Sequence, residues 1–185
     1  MTKLNIVLLI IAILLILAGV CLVLYGSFKE KLENIIDKLD DSEKECLDKY
    51  NNKFDLLKKI IDFIKNKYKV DSKIFEEAMD LKIEDLNSFK HEKILNKCYK
   101  EVTQIREDNP KVRETKAFKE LLTKYEDNEL SIISLRTFHN KYTLIYNNML
   151  HKFPYNIISK IKNYKIKTLI EGKELDNNYN NDLEV

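Results

Sequence analysis

The sequence predicts an all-α protein: an N-terminal transmembrane helix followed by a long-helix antiparallel bundle of three or four helices. Three observations carry that expectation. Residues Ile6 to Tyr25 form an unbroken run of uncharged, almost wholly aliphatic side chains. The sequence beyond it is highly charged, and its apolar positions recur at helical spacing. Only 3 glycines and 2 prolines occur in 185 residues, which leaves few places for the tight turns of a sheet protein.

A helix rises about 1.5 Å per residue, so the apolar run covers about 30 Å, the thickness of a bilayer's hydrocarbon core. It is too long for the apolar region of a cleaved secretory signal, about 7–15 residues. Cleavage after Gly26 would also place Leu24 where a small residue is required. A lipoprotein signal fits poorly, because in Ala18-Gly19-Val20-Cys21 a valine stands where glycine or alanine precedes the acylated cysteine. Cys21 reads better as a small apolar residue of a membrane helix. Before the span there is Lys3; after it come Lys29, Lys31, Lys38 and Lys44, with Tyr25 and Phe28 as interfacial aromatics. The positive-inside rule then predicts a single-pass plasma-membrane protein, N-terminus outside and C-terminal domain cytoplasmic. Cys46 and Cys98 are isolated, without the closely spaced framework of small secreted domains, and are expected as free buried thiols.

Three segments follow: the anchor over 1–27, one bundle over 28–171, and a polar tail over 172–185, Asn-rich and acidic, expected to be disordered. In the bundle, Phe28, Leu32, Ile35, Leu39, Ser42 and Cys46 keep a 4-3-4-3-4 spacing. Tyr50, Phe54, Leu57, Ile61, Ile64 and Tyr68 resume it after one added step of four. This is one face of a long helix with a period near 3.5, as in supercoiled bundles. Gly26 and Ser27 weaken a helix without stopping it, so the membrane helix is expected to run straight into the bundle.

Asp71 and Ser72 offer N-caps to a second helix bearing Ile74, Phe75, Ala78 and Met79, before a less regular stretch from Leu81 to Asn87. A third helix carries Ile94, Leu95, Cys98, Tyr99, Val102 and Ile105. Asn109-Pro110 ends it, because proline pushes its predecessor out of helical geometry. The last long helix covers about Thr115 to Lys152, with Phe118, Leu121, Leu122, Tyr125, Ile132, Leu135, Tyr142, Ile145, Tyr146 and Met149 on its inner face, and Phe153-Pro154 stops it.

Within that last helix and its sequel, Leu135-Arg136-Thr137-Phe138-His139-Asn140, then Tyr146-Asn147, then Phe153-Pro154-Tyr155-Asn156 resemble the C-terminal signature of the LemA family of bacterial membrane-anchored proteins. That signature reads Arg, two Tyr-Asn pairs and Phe-Pro-x-Asn at this spacing. Phe54-Asp55-Leu56-Leu57 and Asn109-Pro110 are similar to two further family stretches. Lys58 stands where the family usually has proline, Tyr25-Gly26 where it has Tyr-Asn, and His139 and Asn109 where it has tyrosines. The resemblance implies a single-pass membrane protein with a helical-bundle domain and no established enzymatic activity.

The residues themselves offer little chemistry. With Lys+Arg at 32 and Asp+Glu at 30 the net charge is +2, which argues against nucleic-acid binding by bulk charge. His91-Glu92-Lys93-Ile94-Leu95 lacks the second histidine of a zinc-protease motif. His139 and His151 lie about 120° apart around a helix and are expected as ordinary surface or bundle-edge residues. Gly19, Gly26 and Gly172 cannot assemble a phosphate loop. No catalytic residue, metal site, cofactor or small-molecule substrate is therefore expected.

Arg136, Asn140, Tyr146, Asn147, Phe153 and Pro154 are the signature residues. They form either a recognition surface or, for Asn140 and Asn147, hydrogen bonds to neighbouring helices that fix register. From Lys152 to Lys167 there are no acids. Lys160, Lys162, Lys165 and Lys167 are interleaved with apolar residues, a composition suited to anionic lipid headgroups if the bundle's parity returns this end to the membrane. Ala12, Gly19 and Gly26 recur every seven residues and would permit a homo-oligomer through the anchor. The expected role is a non-catalytic scaffold or adaptor holding a protein partner at the bilayer. An exported or lipid-anchored envelope protein, and an accessory subunit of a membrane protease or transporter, are the alternatives.

Overall fold

The computed structural model describes residues 3–81 and 89–170. Most of the irregular stretch expected at Leu81 to Asn87, and the tail over 172–185, lie outside the described residues. Among the described residues there are six helices and no strand: α1 Lys3–Tyr68, α2 Lys73–Met79, α3 Phe89–Asp108, α4 Pro110–Glu114, α5 Lys116–His151 and α6 Tyr155–Lys162. The protein is an all-α helical bundle with a long apolar N-terminal helix. Helix α1 continues through Gly26 and Ser27, as the weak helix propensity of two residues inside a long run allows. A Cβ added at Gly19 or Gly26 would meet nothing within 4 Å, so that side of the helix is open.

Among the described residues, those of the apolar run from Ile6 to Leu24 are all exposed, Leu15, Leu22 and Val23 to about 70%. A core helix of a soluble protein buries such a surface in its own fold. A bilayer offers such a surface an apolar environment, and the segment is long and apolar enough to cross one. The chain is a membrane-anchored protein.

The chain divides into two compact units. The anchor unit comprises residues up to Asp40 together with Lys141–Thr168. The core unit comprises the described residues of Asp41–Asn140 together with Leu169 and Ile170.

In the core unit α5 runs opposite to α1. Ser42 meets His139, Tyr50 meets Arg136 and Lys53 meets Glu129, so one number rises as the other falls. Helix α3 runs the same way as α1. Glu92 at its start lies at the level of Tyr50, and the α4 turn that follows its end is bonded to Tyr68 through Lys111 O at 3.0 Å and Thr115 Oγ1 at 2.6 Å. The parity argument assumed that each long helix reverses the last. Among the described residues, the return between α1 and α3 carries the seven-residue α2, and α5 is the third long helix.

Local chemistry sets the breaks. Lys69 takes a left-handed φ of 58° after α1. Asn109 is extended, with Pro110 opening α4 at a position where its missing N–H costs nothing. The core unit closes over Phe54, Leu57, Ile60, Ile61 and Ile64 of α1, Phe75 of α2, Leu95, Cys98 and Val102 of α3, and Phe118 and Leu122 of α5.

In the anchor unit, Leu32 and Leu39 of α1 pack with Tyr146 and Leu150 of α5 and Ile158 of α6, and Tyr25, Phe28 and Tyr155 border the same cluster. Asn163 ends α6 in the left-handed region at φ 54°, which asparagine tolerates better than most residues. The N–H of Tyr164 then donates back to Ser159 O at 2.9 Å, and the chain leaves extended.

Candidate functional site

The signature residues divide between the two units. In the core unit Arg136 of α5 is 2% exposed, and its Nη1 donates to both Glu92 carboxylate oxygens at 3.0 Å and to Tyr50 Oη at 2.6 Å. A guanidinium this deep is tolerable only with an opposite charge and good hydrogen-bond geometry, which Glu92 supplies from α3. Burial, and after it the Glu92 charge, pushes the Tyr50 phenol well above its ordinary range. One turn along α5, His139 is buried rather than at the bundle edge, with Nδ1 3.1 Å from Ser42 Oγ. On the other side, Lys53 is fully buried and pairs with Glu129 at 2.5 Å, its ammonium 5.8 Å from the Tyr125 ring centre. Asn128 accepts from Asn52 Nδ2 at 2.9 Å and donates to Lys49 O at 2.8 Å. Asn140, at the end of this unit's share of α5, donates to Ile170 O at 3.0 Å and accepts from Ile170 N–H at 2.8 Å.

In the anchor unit Asn147 repeats that pairing. Its Nδ2 donates to Lys167 O at 2.8 Å, and its Oδ1 accepts from Lys167 N–H at 2.9 Å. A carboxamide carries one carbonyl and an NH2, so it can satisfy both backbone groups of one extended residue, as a neighbouring strand would. Tyr146 Oη donates to Lys165 O at 3.0 Å, and Lys167 Nζ pairs with Asp40. The two asparagines therefore bond an extended segment rather than neighbouring helices. Phe153 is 79% exposed, and Pro154 is the N-cap residue of α6.

Sequence reasoning missed Glu92, Lys53 and the inward place of His139. The signal was present. From Phe118, the positions Leu122, Tyr125, Glu129, Ile132, Arg136, His139, Thr143, Tyr146 and Leu150 follow an unbroken 4-3 repeat, and all but Glu129 are buried. Reading only apolar residues replaced Arg136, His139 and Thr143 with Leu135, Tyr142 and Ile145, of which Ile145 is exposed. Glu92 likewise sits three residues before Leu95 on the buried stripe of α3.

Cys46 and Cys98 are buried free thiols, and burial pushes them up to about 11 and about 12. Among the described residues no group of three or more His, Cys, Asp and Glu side chains converges as metal ligands would.

No curated protein matches the chain. The profile of the LemA family matches residues 43–182, which takes in α5, α6 and the described part of the extended segment with all six signature residues, while the anchor lies before the matched range. With that match over most of its length, and with an exposed apolar helix ahead of it, the chain belongs to the LemA family.

Proposed function

We propose that this protein is a non-catalytic scaffold, anchored by α1 with its N-terminus outside, whose core unit holds a partner protein on the cytoplasmic side of the membrane. The observation that carries this reading is how the buried polar groups are used. Arg136, Glu92, Tyr50, Lys53 and Glu129 are engaged with one another inside the bundle, where they fix packing instead of lining an opening to solvent. The two buried thiols stay protonated at neutral pH and so are poor nucleophiles. Orientation is supported by Lys29, Lys31, Lys38 and Lys44 after the span, and by Lys152, Lys160 and Lys162, which belong to the anchor unit.

The test is side-chain accessibility in intact cells. Cys98 is fully buried and cannot report, so the probe is Ser134→Cys, at an exposed position of α5 in the core unit. A membrane-impermeant maleimide is expected to label this thiol after lysis and not before. Labelling of intact cells would place the bundle outside and make an envelope-structure role the better reading.

A further inference from the structure

The last helix of the anchor unit leaves an apolar ridge in water at the level where α1 emerges from its apolar run. Phe28 lies three residues beyond Tyr25, about 4.5 Å along a helix axis. Its ring meets Tyr155 edge to face, with centroids 5.2 Å apart. Helix α6 therefore begins beside the first turn of α1 past the anchor, inside one compact unit. Its inner side is used by Ile158 and Ser159, which are buried. Its outer side carries Ile157 and Ile161, 49% and 64% exposed, and Phe153, in the turn just before the helix, is 79% exposed. Lys152, Lys160 and Lys162 are exposed around them. No acidic residue occurs between Glu129 and Glu171, so nothing in this stretch of chain offsets those lysines.

We propose that this ridge is a second membrane contact: Phe153, Ile157 and Ile161 enter the headgroup region of an anionic leaflet, and Lys152, Lys160 and Lys162 meet its lipid phosphates. The proposal rests on the reading of α1 as a membrane span. An amphipathic helix lying in the interface sinks its apolar face about 5–10 Å into the headgroup and acyl boundary, which suits a ridge starting one turn beyond the span. The lysines then lie in the negative surface potential of that leaflet. Lys165 and Lys167 leave the group, because the extended segment runs away from the anchor. Tyr164 reaches Glu33, and Lys167 pairs with Asp40, about 22 Å along α1 from Tyr25.

The chain contains no tryptophan, so single tryptophans report cleanly. Full-length Phe153→Trp, Ile161→Trp, Leu15→Trp and Leu130→Trp are reconstituted into vesicles of phosphatidylcholine with phosphatidylglycerol carrying brominated chains. Expected are a blue shift and strong quenching of F153W and I161W, strong quenching of L15W in the span, and water-like, unquenched emission from L130W in the core unit. Quenching of F153W and I161W should weaken in vesicles of phosphatidylcholine alone with the same fraction of brominated chains, while that of L15W persists; equal quenching in both vesicle types overturns the assignment to anionic lipid. If L15W is quenched and both ridge tryptophans are not, the ridge proposal falls and the span stands. If L15W also escapes quenching, the span reading falls and the proposal with it.

Discussion

Both units clamp backbone with an asparagine of α5, but the buried ion pairs of that helix lie in the core unit. Where α5 crosses the core unit, its charged positions reach other side chains, Arg136 to Glu92 and Tyr50 and Glu129 to Lys53, while its neutral Asn128 and Asn140 reach the backbone of Lys49 and Ile170. Where it crosses the anchor unit, its polar positions are neutral and reach backbone: Asn147 to both groups of Lys167, Tyr146 to Lys165 O. The difference follows from what each unit must pair. The core unit packs α3 against α1 and α5, helices whose backbone groups are already satisfied, so register has to be specified by side chains. The anchor unit packs an extended segment whose N–H and C=O groups would otherwise be orphaned, and a carboxamide satisfies both at once. A buried ion pair is costly to break from one side, whereas a half-buried carboxamide clamp opens locally.

The largest effect should come from removing one partner of the buried pair. Glu92→Ala leaves the Arg136 guanidinium buried without its carboxylate, and about 3–5 kcal/mol of stability should be lost. Denaturant unfolding of the full chain in mild detergent, followed by tyrosine circular dichroism, measures it. Removing both charges sharpens the comparison. The double variant Glu92→Leu with Arg136→Met should recover most of that loss, because desolvating the pair offsets much of its attraction. If the double variant is as unstable as Glu92→Ala, the network contributes through something other than charge compensation.

A smaller, local loss is expected in the anchor unit. Asn147→Ala removes two hydrogen bonds of about 0.5–1.5 kcal/mol each, at a half-buried site where water can partly replace them. Amide hydrogen exchange over 165–168 should speed up while the amides of α3 in the core unit stay protected. Asn147→Asp keeps the acceptor for the Lys167 N–H and loses the donor to Lys167 O, so it should give about half the effect. Global unfolding instead of local opening would mean that the clamp and the core are one cooperative element.

Much of this was legible in the sequence, and what was missed has a single physical origin. The anchor, the α1 stripe and the stop at Asn109-Pro110 are local patterns: a run of apolar residues, a period, a proline. The inward positions of α5 were misread wherever they are polar, since hydrophobicity alone cannot tell a paired buried arginine from a solvated one. Arg136 is inward because Glu92 and Tyr50, 44 and 86 residues away, meet it there. The 4-3 repeat would have placed Arg136, His139 and Thr143 had spacing been weighed above polarity. The sequence shows Asn140 and Asn147 as a pair seven residues apart, but their spacing suits a neighbouring helix as well as an extended segment. An extended segment leaves no periodic signature over so few residues.

The effect expected to be smallest at neutral pH separates the units by titration. Cys46 and Cys98 belong to the core unit, and burial holds their thiols up to about 11 and about 12, above the 9.0 of an exposed thiol. The sign follows from linkage. A group whose folded pKa is raised contributes stability below its unfolded pKa, and that contribution falls as the unfolded thiol ionises and is gone above the folded pKa. No effect is expected at pH 7. From about pH 9 towards 11 the core unit should lose stability, and the raised phenols of Tyr50 and Tyr125 should steepen the loss once the pH passes 10. Replacing both cysteines by alanine should flatten the profile between pH 9 and 10, where unfolded thiols ionise ahead of the phenols, relative to the parent chain's own slope. Exchange protection of the core-unit amides over that interval reads the outcome. An unchanged slope in the double alanine variant would show that the thiols already ionise in the folded protein, and that the core around Cys46 and Cys98 admits water.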